Sequence, residues 1–427
     1  MHYNLLEVFG LEKYAPIIDW GKRGNTVTYS HVRQTGGTDP KWWVGTAKLA
    51  NNPIGRHFKN NMNASAGTSI YIKETLLRTI GETIERYSST NSHLVDAPVL
   101  LPVDATKGYV RCHRYEPSPP SYKSVTTPVP IEHTQVTRLA DDSPDYLPSE
   151  HMHLGFMQYR NRPMHTSPIS TGCAFFPDQV TAIWKGICEV VERDAMMRAW
   201  HTRQQCTRID LNSIIDFDIS ERLHRIKDQG LRLQVFEISS VVDIPVMYAI
   251  LIGKEFPYYC VGASADASPE RAIIKAVDEV VSIRTMANWN GFRRQGERDY
   301  EQFDWVNSLD KHMELYANWR DTPAFDFLLQ QTTPAVSLPE LKQQRAWLRE
   351  PRSYAELQGI AQKLAAQGYD VYWKDISIPD VKEFGYVTKV TIPQMIPLSQ
   401  AFSCRWLSPL FDDDTIATVN PYPHPFS

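Results

Sequence analysis

The sequence predicts a mixed α/β, α+β fold built from internal pseudo-symmetric strand-turn-helix units, and three observations lead there. Small-residue segments open onto an amphipathic helix three times, at residues 60–70, 167–176 and 261–270. Alternating apolar runs that read as strands lie between these units. The copies stand too far apart for a solenoid, so the repetition belongs to one fold.

Taken in order, residues 1–60 form a mixed N-terminal segment, and "KWWVGTAKLA" at Lys41–Ala50 predicts a strand or a short buried element. Residues 61–427 form the main domain. After "NNMNASAGTSI" a helix is expected near Tyr71, with Leu76, Leu77, Ile80, Ile84 and Tyr87 recurring at the helical spacing of three and four. Prolines crowd residues 97–148, which excludes a long helix and predicts strands joined by loops. The turn "SPISTGCAFF" precedes a second helix, from about Thr181 to His201, whose buried side carries Ile183, Ile187, Val190 and Val191. "LRLQVFEI" and "IPVMYAILIG" alternate as strands. Ser268 then caps a third helix with Pro269 at its first position. That helix turns Ala272, Ile273, Ala276, Val277, Val280 and Ile283 inward. Residues 291–369 are polar, rich in aromatics and expected to be helical, without a chemical signature. Strands follow in "DVYWKDI" from Asp370 and "GYVTKVTIPQMIPL" from Gly385, and residues 421–427 close the chain as a proline-rich tail.

The composition narrows the function. With 427 residues, 42% hydrophobic and 22% charged, the chain is an ordinary globular one. A net charge of -4 provides no basic field for nucleic acid. No apolar run reaches the roughly 20 residues of a membrane span, and the N-terminus lacks the zones of a signal peptide. Six scattered cysteines without a Cys-x-x-Cys pair suit buried thiols in a reducing compartment, which makes the cytoplasm the expected location.

The chemistry lies in a duplicated pattern. "GETIERYSST" from Gly81 and "CEVVERDAMM" from Cys188 both contain Glu-x-x-Glu-Arg. Helical positions i and i+3 share a face, so Glu82 with Glu85, and Glu189 with Glu192, each project a carboxylate pair. Arg86 and Arg193 stand within reach of the first glutamate of each pair. The third helix carries Glu279 and Arg284, with Ser282 where a second polar group would fall. A solvated face laced with Glu–Arg pairs, each contributing about 0.3–0.5 kcal/mol, is the bland alternative. Duplication behind a small-residue turn favours convergence instead. Four converging carboxylates repel one another unless cations neutralise them, and hard oxygen ligands suit Mg²⁺ together with substrate phosphates. Turn amides and arginine forks would serve those phosphates. The pattern asks for a nucleoside triphosphate on magnesium without a Walker motif.

"TIGETIERYS", "STGCAF…GICEVVERDA…W" and "GASADASPERAIIKAVDEVVSIR" resemble the YcaO family of ATP-dependent enzymes that modify peptide backbones. The resemblance covers roughly residues 60 to 427. It implies a YcaO-type ATP-binding fold, with Mg²⁺ held by Glu82, Glu85, Glu189 and Glu192. It further implies phosphate contacts from Arg86, Arg193 and Arg284, with Gly67 and Gly172 in the adjoining turns and Glu279 and Ser282 beside the nucleotide. Arg78 stands where many members carry serine. Pro177 and Thr181 stand where asparagine and an acidic residue are frequent, and Ser282 where glutamine is frequent. Arg78 either binds phosphate in place of the groups missing at Thr181 and Ser282 or faces solvent.

"PYPHPFS" ends the chain with Pro421, Pro423 and Pro425 at alternate positions, a stiff extended segment able to reach a cleft. It resembles the end of the azoline-forming branch, the D component of thiazole/oxazole cyclodehydratases, which places Pro423, Pro425 and Ser427 at the catalytic centre. The implied activity is ATP- and Mg²⁺-dependent closure of Cys, Ser or Thr in a ribosomally made precursor peptide to thiazoline or oxazoline, in bacteriocin-like biosynthesis. Its implied partners are a leader-binding ThiF-like protein and a flavin dehydrogenase. Thioamidation, macroamidine formation and a non-catalytic peptide-binding scaffold remain the alternatives. Elsewhere, Glu150-His151-Met152-His153 lacks a third metal ligand and is expected on a surface strand or loop. Cys173 and Cys188 are expected to be buried thiols, and Arg293-Arg294 a solvated pair.

Overall fold

The computed structural model describes residues 3–14, 27–49, 64–94, 96–102, 112–114, 130–154, 169–238, 241–289, 291–292, 300–407 and 418–426. Three antiparallel sheets carry the described fold, and each ends on a strand that feeds one of the three expected helices. The first contains β1 (Val27–Gln34), β2 (Trp43–Leu49) and β3 (Ala64–Ser69) in that order, and α1 (Ile72–Asn91) follows β3. The second runs β4 (Val99–Leu101), β6 (Ile131–Arg138), β13 (Tyr372–Asp375), β14 (Tyr386–Thr391), β8 (Cys173–Phe176), with β7 (Pro144–Pro148) also paired to β6. Helix α2 (Gln179–His201) follows β8. The third sheet runs β12 (Tyr259–Ala265), β11 (Val246–Ile252), β10 (Arg232–Glu237), β9 (Thr207–Arg208). Helix α3 (Phe217–Asp228) joins β9 to β10, and α4 (Pro269–Trp289) follows β12. A two-stranded pair of β5 (Cys112–Arg114) and β15 (Cys404–Trp406) stands apart from these. Helices α5 (Leu309–Asn318) and α6 (Tyr354–Ala366) lie in the region expected to be helical.

The N-terminal segment is not separate from the rest. Strand β2 pairs with β3 from Trp43↔Ser69 to Lys48↔Ala64, so the expected boundary at residue 60 runs between neighbouring strands of one sheet.

Strand runs through all three small-residue segments, including Cys173–Phe176 of the second. Residues 64–69 form β3, and residues 261–265 complete β12. Their small side chains serve close packing: a Cβ on Gly262 would lie 2.7 Å from both Ala276 O and Val280 N of α4. Gly67 faces Thr75 and Thr79 of α1 in the same way. Only Gly172 meets the expectation of a turn, with φ +83 in the left-handed region.

Helix α2 is the centre of the molecule. It is fully buried at Ala182, Ile183, Trp184, Ile187, Val191 and Ala195, and it packs on β8, β12 and β14. Asp178 caps it by accepting a bond from Thr181 N at 2.8 Å. Helix α1 buries Leu76, Ile80 and Ile84, but Leu77 is 39% exposed and lines a cavity, so its face is narrower than the periodicity suggests. Every apolar residue expected to face inward from α4 is buried. Among the described residues no helix is long and apolar enough to cross a membrane.

Candidate functional site

The three helices converge on one cavity of about 590 Å³. Glu82 and Glu85 reach it from α1, and Glu189 and Glu192 from α2. Beside it, Glu279 of α4 contributes its field to Glu192. The carboxylates are aimed by a bond the three units share. Glu82 Oε2 accepts from Ala66 N at 2.7 Å, Glu189 Oε2 from Gly172 N at 3.0 Å, and Glu279 Oε2 from Ala263 N at 2.7 Å. Glu192 Oε2 adds Ala265 N at 3.0 Å. β3, β8 and β12 are all edge strands, whose outward amides have no neighbouring strand to pair with. The acidic side chains take those amides, so the expected amide donors exist but already hold carboxylates.

Arginines thread between the acids. Arg86 Nη2 donates to Glu82 Oε1 at 3.3 Å. Arg193 lies 3.7 Å from Glu189 Oε1 and 3.6 Å from Glu192 Oε1. Burial pushes Glu192 up to about 8, Glu279 and Glu189 adding to the rise and Arg193 opposing it. Burial also raises Glu85 well above the usual carboxylate range, and Glu189 and Glu82 again contribute. Five carboxylates therefore share one electrostatic field that is short of positive charge.

A cation fits that deficit. Among the described residues no three His, Cys, Asp or Glu side chains gather tightly enough to hold an ion by themselves. Mg²⁺ commonly takes one or two carboxylates and completes its shell with phosphate and water, so the donor set suits it in company with a polyphosphate. Arg86 Nε is buried without a hydrogen-bond partner, a donor that an anion could take, whereas Arg193 Nε faces Glu192 Oε1 at 3.6 Å.

Other expected residues lie elsewhere. Arg284 is 3% exposed, donates to Pro257 O at 2.8 Å and pairs with Asp39 at 3.2 Å, and it does not line the cavity. Ser282 accepts from Thr68 Oγ1 at 3.0 Å and links α4 to β3. Gly67 packs on α1, whereas Gly172 donates directly to Glu189. Arg78 is not simply solvated: it lines the cavity and bonds Asp278 Oδ2 at 2.7 Å. The histidines of the Glu150–His153 run are not on a surface loop. His153 is 2% exposed and bridges Ser92 Oγ and Asp96 Oδ2, as a satisfied core histidine does. Cys173 and Cys188 are buried, and burial pushes both thiols up to about 12, which makes them poor nucleophiles. Arg293, Arg294 and Ser427 lie outside the described residues.

The tail enters the core. Pro423, His424, Pro425 and Phe426 are all buried. Trp200 Nε1 donates to Tyr422 O at 3.1 Å, His312 Nδ1 bonds His424 O at 2.6 Å, and His424 Nε2 bonds Ser399 O at 2.7 Å. Trp200 belongs to α2, so the tail seats on the helix that carries Glu189 and Glu192, although neither Pro423 nor Pro425 lines the cavity.

Sequence reasoning missed Lys389. It is 4% exposed on β14, and its ammonium donates to the carbonyls of Ile169 and Thr171, clamping the loop that presents Gly172 to Glu189. A lysine inside the apolar run "YVTKVT" was the available signal. Lys185, Lys275 and Asp266 were also missed, although both lysines line the cavity.

The model of the YcaO cyclodehydratase family, described as ATP- and Mg²⁺-binding, matches residues 66–396. The chain belongs to the YcaO family. ATP and Mg²⁺ are accordingly its cofactors. A heterocyclase in complex with substrate and cofactor superposes on this YcaO chain with a TM-score of 0.71 at 18% identity, over 94% of this chain and 55% of that one. YcaO from Methanopyrus kandleri bound with AMPPCP and Mg²⁺ gives 0.59 at 14% identity, over 96% and 94%. The E. coli microcin synthetase McbBCD complex gives 0.55 at 13%, over 86% and 88%. An uncharacterized protein in the tfuA 3' region of Rhizobium leguminosarum bv. trifolii is 26% identical over 165 residues, which is 36% of this chain and 39% of that protein. The chain thus spans about half of the heterocyclase, and its match to the Rhizobium protein spans 39% of that protein.

Proposed function

We propose that this YcaO chain is a peptide cyclodehydratase that closes Cys, Ser or Thr of a ribosomally made precursor into thiazoline or oxazoline. The observation that carries the reading is the buried proline-spaced tail, which is seated on Trp200 of α2, the helix that presents Glu189 and Glu192 to the cavity. A terminal segment held there can place a polar group beside reacting atoms at small entropic cost. The substrate side chain adds to the preceding amide carbonyl, and the amide oxygen departs as phosphate. The peptide loses one water, and ATP becomes ADP and phosphate. Magnesium-bound ATP supplies the phosphoryl group that turns a poor leaving oxygen into a good one.

This chain's residues prepare the site. Glu82, Glu85, Glu189 and Glu192 would hold Mg²⁺, and Arg86 and Arg193 would meet phosphate oxygens. Leu77, Phe175 and Phe176 supply the apolar part of the cavity lining. A separate leader-binding ThiF-like partner and a flavin dehydrogenase remain part of the proposal, and the likeness to a multi-component microcin synthetase supports an assembly.

Mass spectrometry tests the reading. The purified chain, its partner and a Cys/Ser/Thr-bearing precursor are incubated with Mg²⁺ and ATP. Loss of one water per ring is expected. In a parallel incubation supplied with sulfide, exchange of oxygen for sulfur would replace azoline formation with thioamidation, and an unmodified peptide with no ATP consumed would reduce the chain to a scaffold.

A further inference from the structure

We propose that a second, smaller cavity beside the carboxylates seats the residue immediately before the ring-forming Cys, Ser or Thr, limits it to glycine or alanine, and holds its carbonyl oxygen on Lys389. The inference rests on the cyclodehydratase reading and adds which peptides that activity accepts.

This cavity measures about 70 Å³ and lies where β14 runs past the Ile169–Thr171 segment. Val190, Ile392, Met395 and Trp406 give it apolar walls, and Lys389 enters from β14. Its two ends place it. Lys389 pairs with Cys173 across β14 and β8, and directly paired residues share a sheet face with Cβ atoms about 4.5–5.5 Å apart. Cys173 lines the carboxylate cavity and Lys389 lines this one, so the two adjoin across a single residue pair. At the far end Trp406 N donates to Ser399 Oγ at 3.2 Å, and the Ser399 carbonyl accepts from His424 Nε2 of the tail at 2.7 Å. The small cavity therefore has the acidic site on one side and the anchor of the tail on the other.

Lys389 is a buried cation with room for one more acceptor. It is 4% exposed, and among the described residues its hydrogen bonds go to two carbonyls, those of Ile169 and Thr171, and to no carboxylate. An ammonium has three donors, and a charge held away from water is costly unless they are satisfied. A peptide carbonyl suits the third donor. The contact strengthens as negative charge gathers on that oxygen, which happens when the substrate side chain adds to this carbonyl. The attacked carbonyl belongs to the residue before Cys, Ser or Thr, so that residue's side chain is the one that meets the apolar walls. A volume of about 70 Å³ is the liquid share of about two waters, so a methyl group fits and a leucine or phenylalanine side chain does not. The competing account is that Lys389 only clamps the Thr171 segment. A clamp does not require an ammonium that opens onto a cavity.

Saturation-transfer NMR on the chain with Mg²⁺ and AMPPCP separates the two, using the N-acetyl methylamides of Gly-Ser, Ala-Ser, Leu-Ser and Phe-Ser. Wild type is expected to bind the first two and to bind the last two about tenfold or more weakly, because overpacking opposes them. Lys389→Met should weaken Gly-Ser and Ala-Ser about tenfold or more. Met395→Ala widens the cavity and should admit Leu-Ser. Melting temperatures show that the variants fold, and where one does not, the wild-type series decides alone. Equal binding of all four, or binding of none, in a chain that removes water from a precursor would overturn the cavity's role and leave the cyclodehydratase reading intact. A Lys389→Met variant that binds AMPPCP more weakly and the dipeptides unchanged would reduce Lys389 to a clamp and overturn its carbonyl contact. Selective dipeptide binding by a chain that removes no water in the mass-spectrometric test would uphold the size-selective cavity and overturn the cyclodehydratase reading.

Discussion

Glu82, Glu189 and Glu279 each accept an amide from a neighbouring edge segment, so a substitution must be judged by whether it keeps that acceptor. Glutamine keeps a carbonyl oxygen and removes the charge. Glu82→Gln and Glu192→Gln are therefore expected to fold with stability within about 1 kcal/mol of wild type, since a neutral hydrogen bond replaces a charged one. Magnesium binding in the presence of ATP should weaken at least tenfold. Magnesium titration into the folded variants checks this, and wild-type affinity would remove these carboxylates from the metal site. Asp278 predicts the reverse outcome. It is 1% exposed and receives Trp42 Nε1, Arg78 and Arg222, itself 1% exposed. Asp278→Ala leaves the Arg222 guanidinium buried and unpaired, a loss of about 3–5 kcal/mol, measurable by urea unfolding.

Among the elements, the tail departs furthest from what its composition suggests. An extended strut could dock without contributing stability, which is the outcome the sequence favours. The structure instead packs Phe426 into the main core, where its ring meets Tyr248 edge-on at 5.4 Å. Phe426→Ala should cost about 3–5 kcal/mol, and deletion of residues 423–427 should lower the melting temperature as well as activity. The histidines beneath the tail add a pH dependence. Burial pushes His201 down to about 3 and His312 to about 4, and it holds His424 well below its ordinary value. Depressed values mean that the folded state prefers neutral imidazoles. Their contribution is complete above about pH 6.5, the unfolded value, and is lost as pH falls towards 4. Amide hydrogen exchange at Asn420, Tyr422, His424 and Phe426, corrected for its intrinsic pH dependence, should show protection at pH 7.5 that declines through this window. Unchanged protection at pH 5 would contradict the mechanism.

At the scale of the whole molecule, acids from α1 and α2 line one cavity with Glu279 of α4 beside it, so a ligand there should stabilise the entire chain. With Mg²⁺ and AMPPCP at 100 times the dissociation constant, linkage predicts about 2.7 kcal/mol and a single cooperative shift in calorimetry. Mg²⁺ alone should stabilise far less, because no three acidic side chains among the described residues gather around one point. Equal shifts with Mg²⁺ alone would show that the carboxylates make a complete metal site without phosphate.

The local features were legible because they depend on chain geometry within a few residues. The three-residue spacing of Glu82–Glu85 and Glu189–Glu192 projects each pair from one helical face in any fold, and the Ser268-Pro269 start holds for the same reason. Proline at alternate positions likewise restricts the tail to an extended path. The sequence by itself thus determined three charged helices, their acidic pairs and the family to which they point. What only the tertiary structure decided concerns partners far apart in the chain. The small-residue stretches became edge strands in which helix backbones press on Gly67 and Gly262, a contact that composition cannot distinguish from a turn. Arg284 was drawn to Asp39, Arg78 to Asp278 and His153 to Asp96, since a buried charge or imidazole goes to whichever partner the packing brings near. Lys185 and Lys275 reach one aspartate from two helices, and Lys389 holds a loop more than two hundred residues earlier. Such pairings depend on how the sheets close around α2, and periodicity along a single element carries no record of them.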